Sequence, residues 1–344
     1  MSKIRGYIAI ILLSFITINL WLLSKDNVSL IINLPMTSLS QIFALIGIVL
    51  MAVSLLLSTR IRIVEDIFGG LDKVYRVHHL IGVVAFIMLV NHPLLLVVQS
   101  LPDYKLALNY MIPGPDTSYN FGVFAQYFMI LPFIFILLIK IPYNLWRYTH
   151  KLLGISFLFA SLHAINISSD VSVYMPLRYW ILFFIGIGLF SGIYTLIFYK
   201  NFGPRKIYVV KKTEQLLDII NIYLKPVGKK MNFISGQFAY FRFTKSKVSK
   251  EPHPFSFSGA PSEEDARISV KILGDYTMSA REISEGDVVA VYGPYGRFGE
   301  IYNDPVKKKL IWIAGGIGVT PFLSMLRQES VNSLGHEINF FYSF

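Results

Sequence analysis

The chain has 344 residues, 54% hydrophobic and 15% aromatic, and its mean hydropathy of +0.54 is too apolar for an ordinary soluble protein. It contains no cysteine, which excludes disulfides, cysteine-ligated iron–sulfur clusters and thiolate-bound haem. The formal net charge of +11 is typical of a membrane protein whose basic residues hold cytoplasmic loops in place, and no basic patch interleaved with aromatic residues indicates a nucleic acid partner.

Six hydrophobic segments approach the roughly 20 residues that cross a hydrocarbon core. They are Ile4–Leu23, Met36–Leu57, Val77–Leu101, Phe121–Ile141, Trp146–Ile167 and Leu177–Tyr199. Basic residues precede the first segment and fill the second connection, the fourth connection and the stretch after the sixth segment. By the positive-inside rule, this alternation predicts a multi-pass protein of the cell membrane, surrounded by the lipid bilayer, with both termini in the cytoplasm.

Two of these segments carry histidines at matching depths. His78 and His92 lie 14 residues apart in the third segment, and His150 and His163 lie 13 apart in the fifth. At a rise of about 1.5 Å per residue each spacing covers roughly 20 Å, and both segments cross in the same direction. Neutral imidazoles on facing helices can ligate the iron of a haem in a bundle core. The sequence therefore predicts two b-type haems, an inner one on His78 and His150 and an outer one on His92 and His163.

The rotation of a regular helix agrees with the histidine spacing in the third segment but not with that in the fifth. Fourteen steps of about 100° bring His92 to within about 40° of His78, and the neighbouring His79 is interpreted as a bystander. Thirteen steps leave His163 about 140° from His150 in a straight helix, so the fifth segment must tilt, supercoil or carry a local distortion. The alternative interpretation is a set of isolated helix-end histidines bonded to backbone or lipid headgroups.

The character of the sequence changes at about Gly203. Short alternating runs between turn-forming clusters predict a small antiparallel β-barrel or β-sandwich over 203–305, and the β-barrel is the fold class adopted here. The stretch LIWIAGGIGVTPFLSMLRQ then predicts a strand, a glycine turn and a helix, and a further strand starts before the chain stops. The predicted fold class is an α-helical membrane bundle of six helices over 1–200, this β-barrel, and the start of an α/β nucleotide-binding domain over 306–344, expected to be truncated.

Five motifs occur in a fixed order: KVYRVH at 73–78, WRYTH at 146–150, HPFSFSGA at 253–260, VKILGDYT at 270–277 and AGGIGVTP at 314–321. In this order they resemble the bacterial NADPH oxidases, within the ferric reductase and NADPH oxidase superfamily of transmembrane flavocytochromes. The resemblance covers nearly the whole chain. It implies a soluble half like ferredoxin–NADP reductase, and electron transfer from cytoplasmic NADPH through FAD and two haems to an acceptor outside.

The motifs HPFSFS and GDYT supply the candidate flavin contacts. In HPFSFS the proline fixes φ, and strand alternation presents His253 and Phe255 on one side. In GDYT, Gly274 allows close backbone approach to an anion and Thr277 offers a hydroxyl to a pyrophosphate. The resemblance places Ser256 near the reactive nitrogen of the flavin. The predicted FAD contacts are His253, Pro254, Phe255, Ser256, Gly274 and Thr277.

The motif AGGIGVTP follows an apolar strand, so its backbone amides are suited to a dinucleotide phosphate. It matches the flavin-reductase pattern GxGxTP rather than GxGxxG. The predicted NADPH contacts are Gly315, Gly316, Gly318, Thr320 and Pro321. Members of the family continue beyond the strand ending FYSF with an arginine-bearing turn, a cysteine–glycine–proline motif and a terminal aromatic residue. None of these occurs in this sequence, which predicts an incomplete NADPH domain.

The residues alone leave the electron acceptor open. The resemblance favours dioxygen, giving superoxide, and ferric iron in a chelate is the alternative. The rival from another class is a haem-binding membrane subunit without enzymatic activity. Arg178, near the outer end of the sixth segment, is a candidate to attract an anion or polarise dioxygen, and a role as interface anchor is the alternative.

Overall fold

The computed structural model describes residues 2–27, 29–199, 203–244, 248 and 250–343, and the chain divides into two units, Met1–Asn201 and Phe202–Phe344. Described residues of the first unit are helical wherever they are regular. The second unit is built mainly on antiparallel strands. Each unit has a candidate site of its own, so each is described by itself.

Long helices form where the sequence of the first unit is continuously apolar, and short helices join them. They are α1 (Ser2–Leu23), α2 (Ser29–Asn33), α3 (Pro35–Leu57), α4 (Arg62–Phe68), α5 (Leu71–Ser100), α6 (Tyr104–Asn109), α7 (Thr117–Ile134), α8 (Tyr143–Thr149), α9 (Leu152–Asn166), α10 (Asp170–Val173) and α11 (Met175–Ile193). Helices α7 and α11 each continue into a π-helical turn, Phe135–Ile139 and Tyr194–Phe198.

Local signals account for several helix ends. Gly69 adopts a left-handed conformation (φ 76°) and ends α4, and the next helix starts at Leu71. The carboxylate of Asp116 accepts hydrogen bonds from the amides of Ser118 and Tyr119 and so caps α7. The helix that corresponds to the third predicted segment starts at Leu71 rather than at Val77, because the more polar residues before Val77 are also helical.

Five helical stretches within the described residues are long and apolar enough to cross a membrane. They are Arg5–Leu23, Pro35–Leu57, Leu71–Ser100, Thr117–Ile139 and Met175–Phe198. The fifth predicted segment, Trp146–Ile167, carries the local distortion expected of it, because α8 ends at Thr149 and α9 starts at Leu152; a sixth span stays a prediction. The amides of Lys151, Leu153 and Gly154 each bond to a carbonyl three residues back, which tightens the backbone into 3₁₀-type turns there.

Helix α3 forms the centre of the first unit, with a long run of buried residues from Leu45 to Ser54. It packs closely against α5 and α11 and also contacts α9, while α9 packs mainly against α7. The two histidine-bearing helices α5 and α9 are therefore held by different neighbours rather than by close packing on each other. This arrangement leaves room between them.

Six strands of the second unit form one curled antiparallel sheet. They are β1 (Arg205–Leu216), β2 (Ile219–Pro226), β3 (Phe238–Phe243), β4 (His253–Ser256), β5 (Ala266–Lys271) and β6 (Val288–Tyr295), in the spatial order β4-β3-β6-β1-β2-β5. A bridge between Phe257 and Ile268 connects the chain just after β4 to β5, so the two edges of the sheet approach each other. Helix α12 (Asp275–Ser279) follows β5.

The described residues from Lys309 onward form a small parallel pair of strands with one helix. Strand β7 (Lys309–Gly315) leads through a 3₁₀ turn, Gly316–Val319, into α13 (Thr320–Val331), and β8 (Glu337–Ser343) returns beside β7. Trp312, Phe322 and Met325 are buried between the strands and the helix. The predicted order of strand, glycine turn, helix and strand is present.

Candidate functional site

The inner level of the first unit pairs His78 of α5 with His150, which follows the last residue of α8. Their ring centroids lie 6.2 Å apart, with the ring planes at 71°. The ring of Trp146, one turn before His150, lies 5.0 Å from the His150 ring. The structure thus brings these two predicted residues opposite each other, with their rings nearly perpendicular.

The outer level pairs His92 of α5 with His163 of α9. Their ring centroids lie 6.3 Å apart, with the planes at 54°. The helix break between Thr149 and Leu152 explains how both pairs form, because it changes the direction in which His150 points relative to His163. In a straight helix the two side chains would point about 140° apart, and the break accounts for their departure from that arrangement.

The separation within each pair suits one metal ion between two imidazoles. A metal–nitrogen bond of about 2 Å on each side, with each bonding nitrogen about 1 Å from its ring centre, places two axial imidazole centroids about 6 Å apart. Among the described residues no cluster of three or more histidine, aspartate or glutamate side chains could hold a metal ion. Two ligands per level fit haem, whose porphyrin supplies the other four.

Hydrogen bonds at Nδ1 also fit haem ligation. His78 Nδ1 lies 2.9 Å from the carbonyl oxygen of Ser54, and His92 Nδ1 lies 3.1 Å from that of Ser40. His163 Nδ1 lies 2.7 Å from the carbonyl of Ser118. A carbonyl only accepts, so these three Nδ1 atoms carry the proton and the lone pair is on Nε2. Fixing the second ring nitrogen in this way is usual for metal-ligating histidines.

Serine hydroxyls reinforce two of these contacts. Ser54 Oγ lies 2.9 Å from His78 Nδ1, and Ser40 Oγ lies 2.7 Å from His92 Nδ1 while donating to the His92 carbonyl. Sequence reasoning missed both serines. A signal was present, because Ser40 and Ser54 are 14 residues apart in α3, the same spacing as the two histidines of the antiparallel α5.

A cavity of about 300 Å³ surrounds the outer pair. Its walls include His92, His163 and Gly122, and a Cβ at Gly122 would lie 3.1 Å from His163 Nδ1. The amide oxygen of Gln126 is buried in the wall without a hydrogen-bond partner, while its amide nitrogen donates to the Leu89 carbonyl at 2.5 Å. The volume is at the lower end of the range for small-molecule sites.

Two further residues singled out in the sequence lie away from the ligand positions. His79 is exposed on α5, as expected of a bystander. Arg178 donates to the carbonyl of Ser172 at 3.3 Å and lines a separate cavity of only about 10 Å³. That small cavity shares Ala164, Val171 and Ile181 with the outer one, so Arg178 lies behind the wall of the outer cavity.

In the second unit the two flavin motifs come together on one face. The ring of Tyr276, from GDYT, stacks on His253 at 3.4 Å between centroids and lies 6.3 Å from Phe255. Burial raises the pKa of the Tyr276 hydroxyl above its ordinary value, with a smaller contribution from Glu251, so the phenol is neutral. β4 is an edge strand, and its residues Pro254 and Ser256 remain accessible.

The turn in GDYT is held by its own threonine. Thr277 Oγ1 accepts hydrogen bonds from the amides of Leu273 and Gly274 at 2.8 and 2.9 Å. A Cβ at Gly274 would meet nothing within 4 Å, so the space beside this turn is open. Thr277 therefore shapes the turn, and its position is compatible with the predicted role beside a pyrophosphate.

The predicted dinucleotide turn lies where the sequence places it, between β7 and α13. Gly316 adopts φ 49°, which favours glycine, and a Cβ at Gly316 or Gly318 would meet nothing within 4 Å. Gly315 ends β7. Thr320 begins α13, with its hydroxyl donating to the Ile317 carbonyl at 3.1 Å, and Pro321 occupies the first turn, where a missing amide hydrogen is tolerated.

Comparisons with known proteins agree with these two units. Residues 43–161 match the family described as ferric reductase like transmembrane component, and residues 205–298 match the family described as FAD-binding domain. The two matches, in this order along one chain, are consistent with the ferric reductase and NADPH oxidase superfamily. A ferric-reductase-like transmembrane domain joined to an FAD-binding domain indicates an electron-transfer oxidoreductase.

Individual relatives share parts of the chain. It is 31% identical over 146 residues to a flavohemoprotein of Candida albicans, covering 39% of this chain and 35% of that protein. It is 26% identical over 217 residues to respiratory burst oxidase homolog protein D of Solanum tuberosum, covering 57% of this chain and 24% of that protein. The chain thus spans about a third and a quarter of these relatives. Among solved structures, the FAD/NAD-binding domain of a Vibrio cholerae nitric oxide dioxygenase is 22% identical, with a TM-score of 0.34 over 40% of this chain and 61% of that one.

Proposed function

We propose that this chain carries electrons from NADPH through FAD and two b-type haems to an acceptor on the far side of the cell membrane. The observation that carries the proposal is the repeated pair of facing histidines, 6.2 Å apart at one level and 6.3 Å at the other. When bound, FAD supplies the conversion of a two-electron hydride into single electrons and the haems supply one-electron carriers.

The residues of the first unit hold and orient these carriers. His78 and His150 are the proposed inner ligands, and His92 and His163 the outer ones. Backbone carbonyls fix the tautomer of three of the four rings, which leaves the Nε2 lone pair of each available to hold iron. Phe157, midway along the fifth segment, is fully buried.

We place the inner level on the cytoplasmic side. The connections near His78 and His150 carry Arg60, Arg147 and Lys151, whereas those near the other level carry few basic residues. By the positive-inside rule both termini, and with them the second unit, are cytoplasmic. The broken helix α8–α9 completes a sixth crossing in this proposal, because the break lies near the proposed cytoplasmic end.

In the second unit we assign the flavin to strand β4 and the turn at Gly274, and NADPH to the turn at Gly316. The accessible edge strand β4, with His253, Pro254, Phe255 and Ser256, lines the flavin ring, while Gly274 and Thr277 lie beside the pyrophosphate. The turn formed by Gly315, Gly316, Gly318, Thr320 and Pro321 binds NADPH. The match of residues 205–298 to an FAD-binding domain supports the first assignment, and the open space at Gly316 and Gly318 supports the second.

Dioxygen is the proposed acceptor, with superoxide as product. Among the described residues that line the outer cavity, Asp170 is the one charged side chain, and no lysine or arginine lines it. A small neutral molecule suits such walls better than an anionic ferric chelate does. The likeness to a respiratory burst oxidase homologue supports the same choice. Ferric-chelate reduction is the second candidate, favoured by the match to a ferric reductase like transmembrane component.

The haem content of the purified full chain tests the central claim. We expect two haems per chain and a reduced-minus-oxidised spectrum of six-coordinate, low-spin haem after dithionite reduction. A correctly inserted sample without haem would contradict the proposal. Titration with FAD then separates the enzyme from the rival subunit, since a chain that holds two haems but binds no flavin would be the non-enzymatic haem protein.

Reoxidation of the dithionite-reduced chain identifies the acceptor. With dioxygen, we expect rapid reoxidation and reporter reduction that superoxide dismutase abolishes. With ferric citrate under argon, we expect slow reoxidation. Fast ferric reduction that is insensitive to superoxide dismutase would instead make ferric iron the acceptor.

A further inference from the structure

A partly buried ion pair lies at the wall of the outer cavity. Lys25 Nζ, just after the end of α1, lies 2.6 Å from Asp170 Oδ2 at the start of α10, with side-chain exposures of only 10% and 21%. Asp170 itself lines the cavity that contains His92 and His163. The pair joins residues 145 positions apart in the chain, so no local structure requires it.

The ammonium group of Lys25 is held by more than its carboxylate partner. It donates to Gln41 Oε1 at 2.8 Å and lies 5.0 Å from the centroid of the Trp21 ring. Gln41 Oε1 also accepts from Trp21 Nε1 at 3.1 Å, and Gln41 lines the outer cavity. The position of the positive charge is therefore defined by α1, α3 and α10 together.

Partly buried charges act over longer distances than fully solvated ones, because less solvent screens them. Both residues lie just outside the apolar stretches Arg5–Leu23 and Met175–Phe198, at one end of the first unit. As a pair, Lys25 and Asp170 contribute almost no net charge to the cavity. Each one alone would shift the balance between ferric and ferrous iron, which differ by one positive charge.

We infer that Lys25 neutralises the Asp170 carboxylate at the wall of the outer cavity, and so keeps the reduction potential of the outer haem above the value that an unpaired carboxylate would give; this determines which acceptors the outer site can reduce. The inference rests on the proposed function, since it requires iron between His92 and His163. Lys25 and Asp170 are positioning residues. One electron reaches the outer iron and one leaves to the acceptor, and neither side chain gains or loses a bond.

The test is a redox titration of both haems in the purified full chain. Lys25→Met leaves a carboxylate facing the cavity, so we expect the outer haem to become harder to reduce, with the ferrous-to-ferric ratio at a fixed potential about tenfold lower. Asp170→Asn leaves an ammonium group, and the ratio should rise by about the same factor. The double variant should return close to the original potential, and the inner haem serves as internal reference in each sample.

Three further variants keep the test decisive. Removing one partner of a buried pair can disturb folding, so Gln41→Glu adds a negative charge beside the intact pair and should lower the outer potential as Lys25→Met does. Lys25→Arg keeps the charge and should change nothing. Lys105→Met removes an exposed lysine on the same proposed face and should also change nothing, since water screens it.

The possible failures are distinguishable. Outer potentials that do not move, or that move in the same direction in Lys25→Met and Asp170→Asn, would overturn the electrostatic role while leaving the proposed function intact. If the single variants lose the outer haem, Gln41→Glu tests the electrostatic role instead: a lower outer potential supports it, and an unchanged potential overturns it. Absence of the outer haem from the unsubstituted chain would instead contradict the proposed function itself.

Discussion

The inner and outer histidine levels are built in different ways. At the outer level, His92 and His163 lie within continuous helices, and backbone carbonyls hold both rings. At the inner level, Ser54 holds His78, whereas His150 is positioned by a helix break and contacts Trp146. Two histidine pairs with nearly the same ring separation are thus formed in different ways, one by regular helices and the other at a helix break. We infer that the outer level is the more rigid of the two.

The largest expected effect comes from removing a ligand. His163→Leu should reduce the haem content from two per chain to one, with the remaining haem at the inner level, and His150→Leu should leave the outer haem instead. The reason is that each variant removes one of the two histidines that would hold the haem iron at that level. Pyridine haemochrome assays and redox titration identify which haem remains. His79→Leu should keep both, and loss of both haems in each ligand variant would contradict separate sites.

A smaller but local effect is expected at Gly122. An alanine there places a methyl group 3.1 Å from His163 Nδ1, while the Ser118 carbonyl holds the ring from the same edge at 2.7 Å. The ring must shift by a few tenths of an ångström, so we expect about 10–100-fold weaker retention of the outer haem. Haem loss to apomyoglobin measures this.

The matched control is Gly186→Ala in α11, where a Cβ meets nothing within 4 Å. It should leave both haems unchanged. If Gly122→Ala weakened the inner haem as much as the outer one, the contact with His163 would not be the cause.

The serine hydroxyls should matter less than the ligands. Ser40→Ala and Ser54→Ala each remove a hydroxyl beside Nδ1 but keep the backbone carbonyl, so we expect both haems to remain, with retention weaker by about tenfold or less. The effect should fall on the outer haem for Ser40 and on the inner haem for Ser54. Resonance Raman spectra of the two haems would detect it. Equal effects of both changes on one haem would contradict the pairing.

The smallest effect is expected in the second unit. Thr277→Ala removes the hydroxyl that accepts from the amides of Leu273 and Gly274, which costs a turn of this kind about 1 kcal/mol, so FAD should bind about fivefold more weakly. Thr277→Ser should bind FAD normally. Fluorescence titration of FAD measures both, and haem content should not change. A lower haem content in Thr277→Ala would show that the two units fold interdependently.

Part of this structure follows from sequence patterns alone. Apolar segment length predicts five of the spanning helices, and strand, glycine turn and helix follow in the predicted order around Gly316. The rotation of a regular helix even indicates that the segment between His150 and His163 must be distorted. It does not locate the break, because 3₁₀-type turns at Lys151 depend on how α8 and α9 pack against their neighbours.

Contacts between elements that are far apart in the chain cannot be predicted from such patterns. Ser40 and Ser54 repeat the 14-residue spacing of the histidines, yet only the antiparallel packing of α3 on α5 turns that coincidence into hydrogen bonds. The pairing of Lys25 with Asp170 has no sequence signal at all.

The amino-acid sequence thus specifies properties that depend on neighbouring residues: which segments are apolar, which depth each histidine occupies, and where a glycine turn follows a strand. The tertiary structure decides which ring faces which, what holds Nδ1, and which charges lie at the outer cavity. The physical reason is that periodicity and hydropathy are local, whereas ring orientation and the partners of a buried charge are determined by packing between helices far apart in the chain.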